Sequence, residues 1–195
     1  MNQPLSQKTA EIPPFAIFLL AMLALLWGLN WPVMKLSLAE YPPFVFRAIA
    51  GISAGLGLFA MAKANGQTLR VPRAEWKGLL IVSLLNMSVW NIAVLYGIDL
   101  MESGRAAILA YTMPLWATLT GAWLVKEPLR ARSVLALGLG LVGMGLLFFG
   151  DDRAVSGDPL GPALVVIAAM SWGAGTAAVK YFRFSMSVTV LTGWQ

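Results

Sequence analysis

The groups able to do chemistry in this sequence are few, and most of them sit inside apolar runs. There is no cysteine and no histidine, which removes thiol nucleophiles, disulfides, Cys- or His-based zinc sites and a histidine proton switch. The nine acidic residues fall outside the middles of the apolar runs, with no paired carboxylate and no nucleophile beside a base, so enzymatic turnover is not indicated. A phosphate-cradling loop of the Walker type is also missing. What remains is a set suited to recognition: Trp27, Asn30 and Trp31; Arg47; Asn86, Trp90, Asn91 and Tyr96; Tyr111; and Trp172. Amides bring donors and acceptors that need partners away from water. Indoles in a passage offer a broad, adaptable surface for apolar or aromatic solutes. No metal and no cofactor is expected from this set.

The elements that must carry these groups are membrane spans. The chain is 58% hydrophobic and 12% charged, with a mean hydropathy of +0.74, too apolar for a water-soluble domain of this length. Apolar runs predict helices over roughly Phe15–Leu38, Phe44–Ala62, Trp76–Leu100, Arg105–Val125, Ser133–Phe149 and Leu160–Phe182, each near the twenty residues a crossing needs. The fold class is therefore an all-α polytopic membrane helix bundle. A polar tail over residues 1–14 precedes it, and the acidic stretch Gly150–Pro159 separates the fifth and sixth spans. Met186–Gln195 reads as the start of a seventh span, so the chain is expected to be part of a longer protein. Glycines at Gly51 and Gly55, and at Gly138, Gly140, Gly143 and Gly145, predict close helix packing. Pro114 predicts a kink or hinge in the fourth span, and Pro32 a break in the first.

Charge placement sets an expected orientation. Lys63, Arg70, Arg73 and Lys77 lie between the second and third spans, and Lys126, Arg130 and Arg132 between the fourth and fifth. Basic loops face the cytoplasm, and the N-terminus with them. The net charge of +5 is thus a matter of topology, and no nucleic-acid partner follows from it. Trp172, Gly173 and Lys180 repeat the relative positions of Trp27, Gly28 and Lys35. After an odd number of crossings, the two related helices must run in opposite directions. Such inverted repeats are a recurring plan of secondary transporters, with the solute site near the midplane between halves.

Taken together, Trp27-Gly28 with Asn30 and Lys35, Pro43-Phe44 leading to Arg47, Tyr111-x-x-Pro114 ending in Glu127, the glycine-rich fifth span and the second Trp172-Gly173 opening resemble the EamA family of the drug/metabolite transporter superfamily. The resemblance implies two inverted five-helix repeats around a central path. Residues 15–150 would be the first repeat and 160–195 the beginning of the second. It further implies export of amino acids, other small organic metabolites or drugs across the bacterial inner membrane.

On this reading Trp27, Asn30, Trp31, Arg47, Trp90, Asn91, Tyr96, Tyr111 and Trp172 are candidates for the solute pathway. Lys35, Pro114, Glu127 and Lys180 are candidates for a gate or hinge. Each has a plainer reading. Arg47 and Lys35 sit near span ends, where long basic side chains snorkel to the interface. The asparagines can bond between helices, and Glu127 can pair with Arg130 or Arg132 at the surface. The expected partners are the lipid bilayer, a small organic solute, and either a second copy or further C-terminal helices. A non-transporting subunit that supplies one repeat to an oligomer is the alternative.

Overall fold

A computed structural model describes residues 13–129, 131–149 and 159–195. Residues 1–12 of the expected tail over 1–14, Arg130 and residues 150–158 of the acidic stretch lie outside the described residues. Nine α-helices follow one another among those described: α1 (Pro14–Glu40), α2 (Pro43–Ala64), α3 (Trp76–Ser83), α4 (Trp90–Asp99), α5 (Ser103–Ala110), α6 (Met113–Leu124), α7 (Ala131–Phe149), α8 (Leu160–Phe182) and α9 (Val188–Trp194). A 3₁₀ turn, a π-helical turn over Leu84–Val89 and the two helices α3 and α4 make one rod over residues 73–99. Helices α5 and α6 likewise make one crossing over residues 103–124. Five helical stretches are long and apolar enough to cross a membrane, and the protein is an all-α polytopic membrane bundle. The fifth expected span corresponds to α7, a 19-residue apolar helix over Ala131–Phe149.

Helix boundaries have local causes. Pro13-Pro14 and Pro42-Pro43 open α1 and α2, since proline's fixed φ suits a first turn whose N–H has no partner in any case. Pro32 does not break α1, which runs unbroken through it; what it removes is the N–H that would bond the Gly28 carbonyl. The break in the fourth crossing falls at Tyr111-Thr112, and Pro114 stands in the first turn of α6. The proline therefore starts the second segment and does not kink a continuous one.

Helix α8 is the centre of the bundle. Nine of its residues are buried, against Trp31 and Met34 on α1 and Ala62 on α2. Small residues permit this. A methyl group on Gly173 would stand 2.5 Å from Trp116 Cβ and 2.6 Å from the Ala117 nitrogen, and one on Gly97 would stand 2.6 Å from Val165. Gly175 lies against the Asn86 side chain. The glycines of α7 expected to pack closely, Gly138, Gly140, Gly143 and Gly145, have nothing within 4 Å of such a methyl, and Gly51 is the same; Gly55 does approach the Gly193 carbonyl on α9. Backbone polar groups also hold α8. The Ser171 hydroxyl donates to the Leu85 carbonyl at 2.6 Å inside the π turn, where the wider turn leaves an acceptor available to another helix.

The contacts fix the relative direction of α1 and α8. Gly161, at the start of α8, meets Leu100 and Gly97, while Phe182, at its end, meets Gly78. Lys35, near the end of α1, reaches the Ile98 and Asp99 carbonyls. The end of α1 and the start of α8 thus share one end of the bundle, and the two helices are antiparallel. Lys35 and Lys180 accordingly stand at opposite ends.

Candidate functional site

Four crossings bring Trp27, Asn30 and Trp31 of α1, Trp90 of α4, Tyr111 and Met113 around the α5–α6 break, and Trp172 of α8 around a cavity of about 290 Å³. Each of these residues lies within about one helical turn of the middle of its own span, so the cavity occupies the waist of the bundle. Its walls are paired rings. Trp90 and Trp172 are tilted against each other at a centroid distance of 5.1 Å, and Trp31 meets Tyr111 edge-on at 6.3 Å. Such pairs contribute about 0.5–1.5 kcal/mol beyond the area they bury. The lining carries no charge. The Asn30 amide, whose Nδ2 donates to Met34 Sδ at 3.8 Å, is its polar side chain besides the Tyr111 hydroxyl and the indole N–H groups.

The break between α5 and α6 shapes one wall. Thr112 closes α5 by donating its hydroxyl to the Leu109 carbonyl at 2.7 Å, and the Trp116 Nε1–H donates to that hydroxyl at 3.1 Å. Tyr111 is left at the turn, with its ring toward Trp31. On the opposite wall Trp172 is positioned by the close approach of Gly173 to α6, and the Thr120 hydroxyl donates to the Gly173 carbonyl at 3.3 Å.

Three of the expected pathway residues lie elsewhere. Arg47 and Asn91 line a second cavity of about 630 Å³ between α2, the π turn with α4, and α9. Tyr96 lines neither of these two; it is 41% exposed, edge-on to Phe44, beside a shallow apolar recess. Helical geometry explains the split. Trp90 and Asn91 are neighbours about 100° apart, so one faces α8 and the other faces α2. Asn91 Nδ2 donates to the Met87 carbonyl at 2.7 Å.

The residues expected to gate fall into two different arrangements. Lys35 Nζ donates to the carbonyls of Ile98 and Asp99 at 2.7 and 2.8 Å, where a helix C-terminus leaves acceptors unpaired and favours a cation. Lys180 Nζ pairs with Glu127 at 3.1 Å. Glu127 thus meets another helix and not Arg132 of its own loop, and Arg130 is outside the described residues. Its carboxylate is carried over α6 by Lys126, whose φ of 57° reverses the chain, and it comes to 3.2 Å from where a methyl on Gly121 would lie. A third cavity, of about 440 Å³, opens beside the pair between α6, α8 and Ser133.

Asn86 is not among the expected pathway residues, yet it is buried at the α8 seam, 7% exposed, with Oδ1 lacking a hydrogen-bond partner among the described residues. Its position four residues before Trp90 was the available signal, since both face α8. No cluster of three or more potential metal ligands occurs among the described residues.

Residues 14–149 match the model of the EamA-like transporter family. The chain belongs to that family. It is 26% identical over 172 residues to the uncharacterized transporter YoaV of Bacillus subtilis, covering 87% of this chain and 59% of that protein. It is 27% identical to the uncharacterized inner membrane transporter YedA of Escherichia coli, covering 88% and 54%. It is also 27% identical to the S-adenosylmethionine/S-adenosylhomocysteine transporter of Chlamydia trachomatis, covering 79% and 48%. The chain spans about half the length of the curated relatives it matches. No solved structure matches it. This EamA protein is a multi-pass membrane protein of a transporter family, not of a family of enzymes.

Proposed function

We propose that the protein carries small organic solutes across the bacterial inner membrane by alternating access, exporting them, and that the waist cavity is the solute site. One observation carries the reading: residues far apart in sequence, from four crossings, converge on an aromatic, uncharged cavity at mid-span. A cavity of about 290 Å³ suits a small metabolite or drug-sized fragment. Transporter relatives, among them one named for S-adenosylmethionine and S-adenosylhomocysteine and one named for the inner membrane, support it. The antiparallel course of α1 and α8 supports a division into inverted repeats, residues 15–150 and the stretch beginning at 160, with the N-terminus in the cytoplasm. The length of the relatives supports a passage completed by further helices, in the same polypeptide or in a second copy.

The test is solute efflux by the protein in its native membrane. Trp27→Ala and Asn30→Ala should each lower efflux several-fold while leaving the amount inserted unchanged. Trp27 is 52% exposed, so its removal costs little packing. Wild-type efflux from both variants would remove the waist cavity from the pathway.

A further inference from the structure

We infer that Arg47 selects the solute: it receives a carboxylate, so the carried molecule is an organic anion with an apolar or aromatic body. This rests on the waist cavity being the solute seat, and adds to it a charged second point of attachment.

The guanidinium is poorly matched where it stands. Arg47 is the fifth residue of α2, and the acceptor its Nη2 faces is Met34 Sδ. A thioether is among the weakest acceptors a protein offers, whereas a guanidinium has five N–H donors and a permanent charge. The neighbouring Phe46 ring, 5.5 Å away, supplies a cation–π contact and no acceptor. Nε is buried with no hydrogen-bond partner among the described residues. The cavity that Arg47 lines carries Ser88, Asn91, Thr192 and Gln195, and no aspartate or glutamate side chain among the described residues. A basic side chain on a membrane helix with no carboxylate beside it among the described residues is suited to an anion, and the planar fork of Arg fits a carboxylate through two parallel bonds.

The same sulfur links this cation to the waist cavity. Met34 Sδ accepts from Arg47 on one side and from Asn30 Nδ2 on the other, so one buried side chain, 2% exposed, separates the guanidinium from an amide that lines the aromatic walls. Methionine is unbranched and has three rotatable side-chain bonds, which lets it move aside without disturbing the backbone. A solute whose ring lies among Trp27, Trp90 and Trp172 can then place its carboxylate where the sulfur was, between Asn30 and Arg47. That shared acceptor favours a solute carboxylate over a lipid phosphate, which would approach Arg47 alone.

The experiment uses the purified chain in phosphatidylcholine nanodiscs, titrated with 3-phenylpropionate and with 3-phenylpropionamide, binding being read by tryptophan fluorescence and calorimetry. The acid should bind at least tenfold more tightly than the amide. Arg47→Gln should bring the acid to the level of the amide and leave the amide unchanged, and Arg47→Lys, which keeps the charge, should retain part of the preference. Trp90→Ala should weaken both probes by the same factor. Equal binding of acid and amide to the wild type overturns the inference while leaving the aromatic seat intact. A preference that survives Arg47→Gln also overturns it. If native mass spectrometry shows phosphatidylglycerol retained by the wild type and lost from Arg47→Gln, with no acid preference, the occupant is lipid and the inference fails. Binding of neither probe to the wild type overturns the seat and the inference together.

Discussion

The seam between α6 and α8 gives the sharpest test of the architecture, through Gly173→Ala. The added methyl would meet Trp116 Cβ at 2.5 Å, the Ala117 nitrogen at 2.6 Å and the Trp116 carbonyl carbon at 2.8 Å. Two of these three atoms belong to the backbone, so no rotamer change relieves the overlap and the helices must separate. Overpacking of this kind costs about 1–3 kcal/mol, and the same movement stretches the Thr120–Gly173 hydrogen bond, already 3.3 Å long. In the folding equilibrium that is a change of roughly 5- to 150-fold. Alanine's better helix propensity, up to about 1 kcal/mol in water, opposes it. Gly143→Ala on α7 and Gly57→Ala on α2, where a methyl meets nothing within 4 Å, measure that opposing effect. Reversible unfolding of each variant in mixed micelles, followed by circular dichroism, should place Gly173→Ala below the wild type and both controls at or above it. Gly173→Ala should also weaken solute binding, because Trp172 moves with the backbone beside it. Equal stability of Gly173→Ala and Gly143→Ala would refute the seam, and with it the central position of α8.

Other consequences follow from the two lysines and from the π turn. Lys180 and Glu127 are 57% and 46% exposed, so a double-mutant cycle with Lys180→Gln and Glu127→Gln should give a coupling of only about 0.2–1 kcal/mol, fading at high salt. The pair then biases a gate by less than tenfold and cannot lock it; a coupling above about 2 kcal/mol would contradict this. Lys35→Met removes a cation from the end of α4 and should cost about 1–2 kcal/mol in the same unfolding assay, a larger loss than Lys180→Met. Ser171→Ala should cost about 0.6–1.7 kcal/mol, the range for a hydrogen bond between membrane helices, and should speed amide exchange within Leu84–Val89.

The spans were legible in the sequence because lipid imposes both length and composition on any helix that crosses it. Phe44–Ala62 was expected and Pro43–Ala64 is found; Leu160–Phe182 agrees at both ends. Which faces meet was far less legible. Gly138 to Gly145 and Gly173 are alike as sequence, yet only the latter has another backbone against it, because a glycine records that close approach is allowed and not where the partner is. The π turn has no sequence signature, since widening one turn changes hydrogen-bond register without requiring a special residue. Six of the nine candidates, Trp27, Asn30, Trp31, Trp90, Tyr111 and Trp172, share the waist cavity. Polar and aromatic residues in mid-span have few tolerable positions other than a cavity or an interhelical contact. Arg47 and Asn91 satisfy the same rule at a second cavity, and no spacing argument could assign residues between the two.

The two walls of the waist cavity are held very differently, and this makes the proposed site separable from the fold. On α8, Trp172 sits between Ser171 and Gly173, both buried and both committed to neighbouring helices; a change there disturbs cavity and packing at once. On α1, Phe15, Phe18, Leu19 and Leu23 are exposed, and the described attachments of the helix lie beyond its midpoint, at Trp31, Met34 and Lys35. Trp27 and Asn30 stand just before that attachment and contribute to the cavity more than to the core. Substituting them removes ring surface or an amide while burying nothing new and leaving no large void, a condition under which stability changes stay small. Loss of transport without loss of folding is therefore the expected signature of the α1 wall, and joint loss that of the α8 wall. A solute passage running anywhere else would leave transport intact in the α1-wall variants.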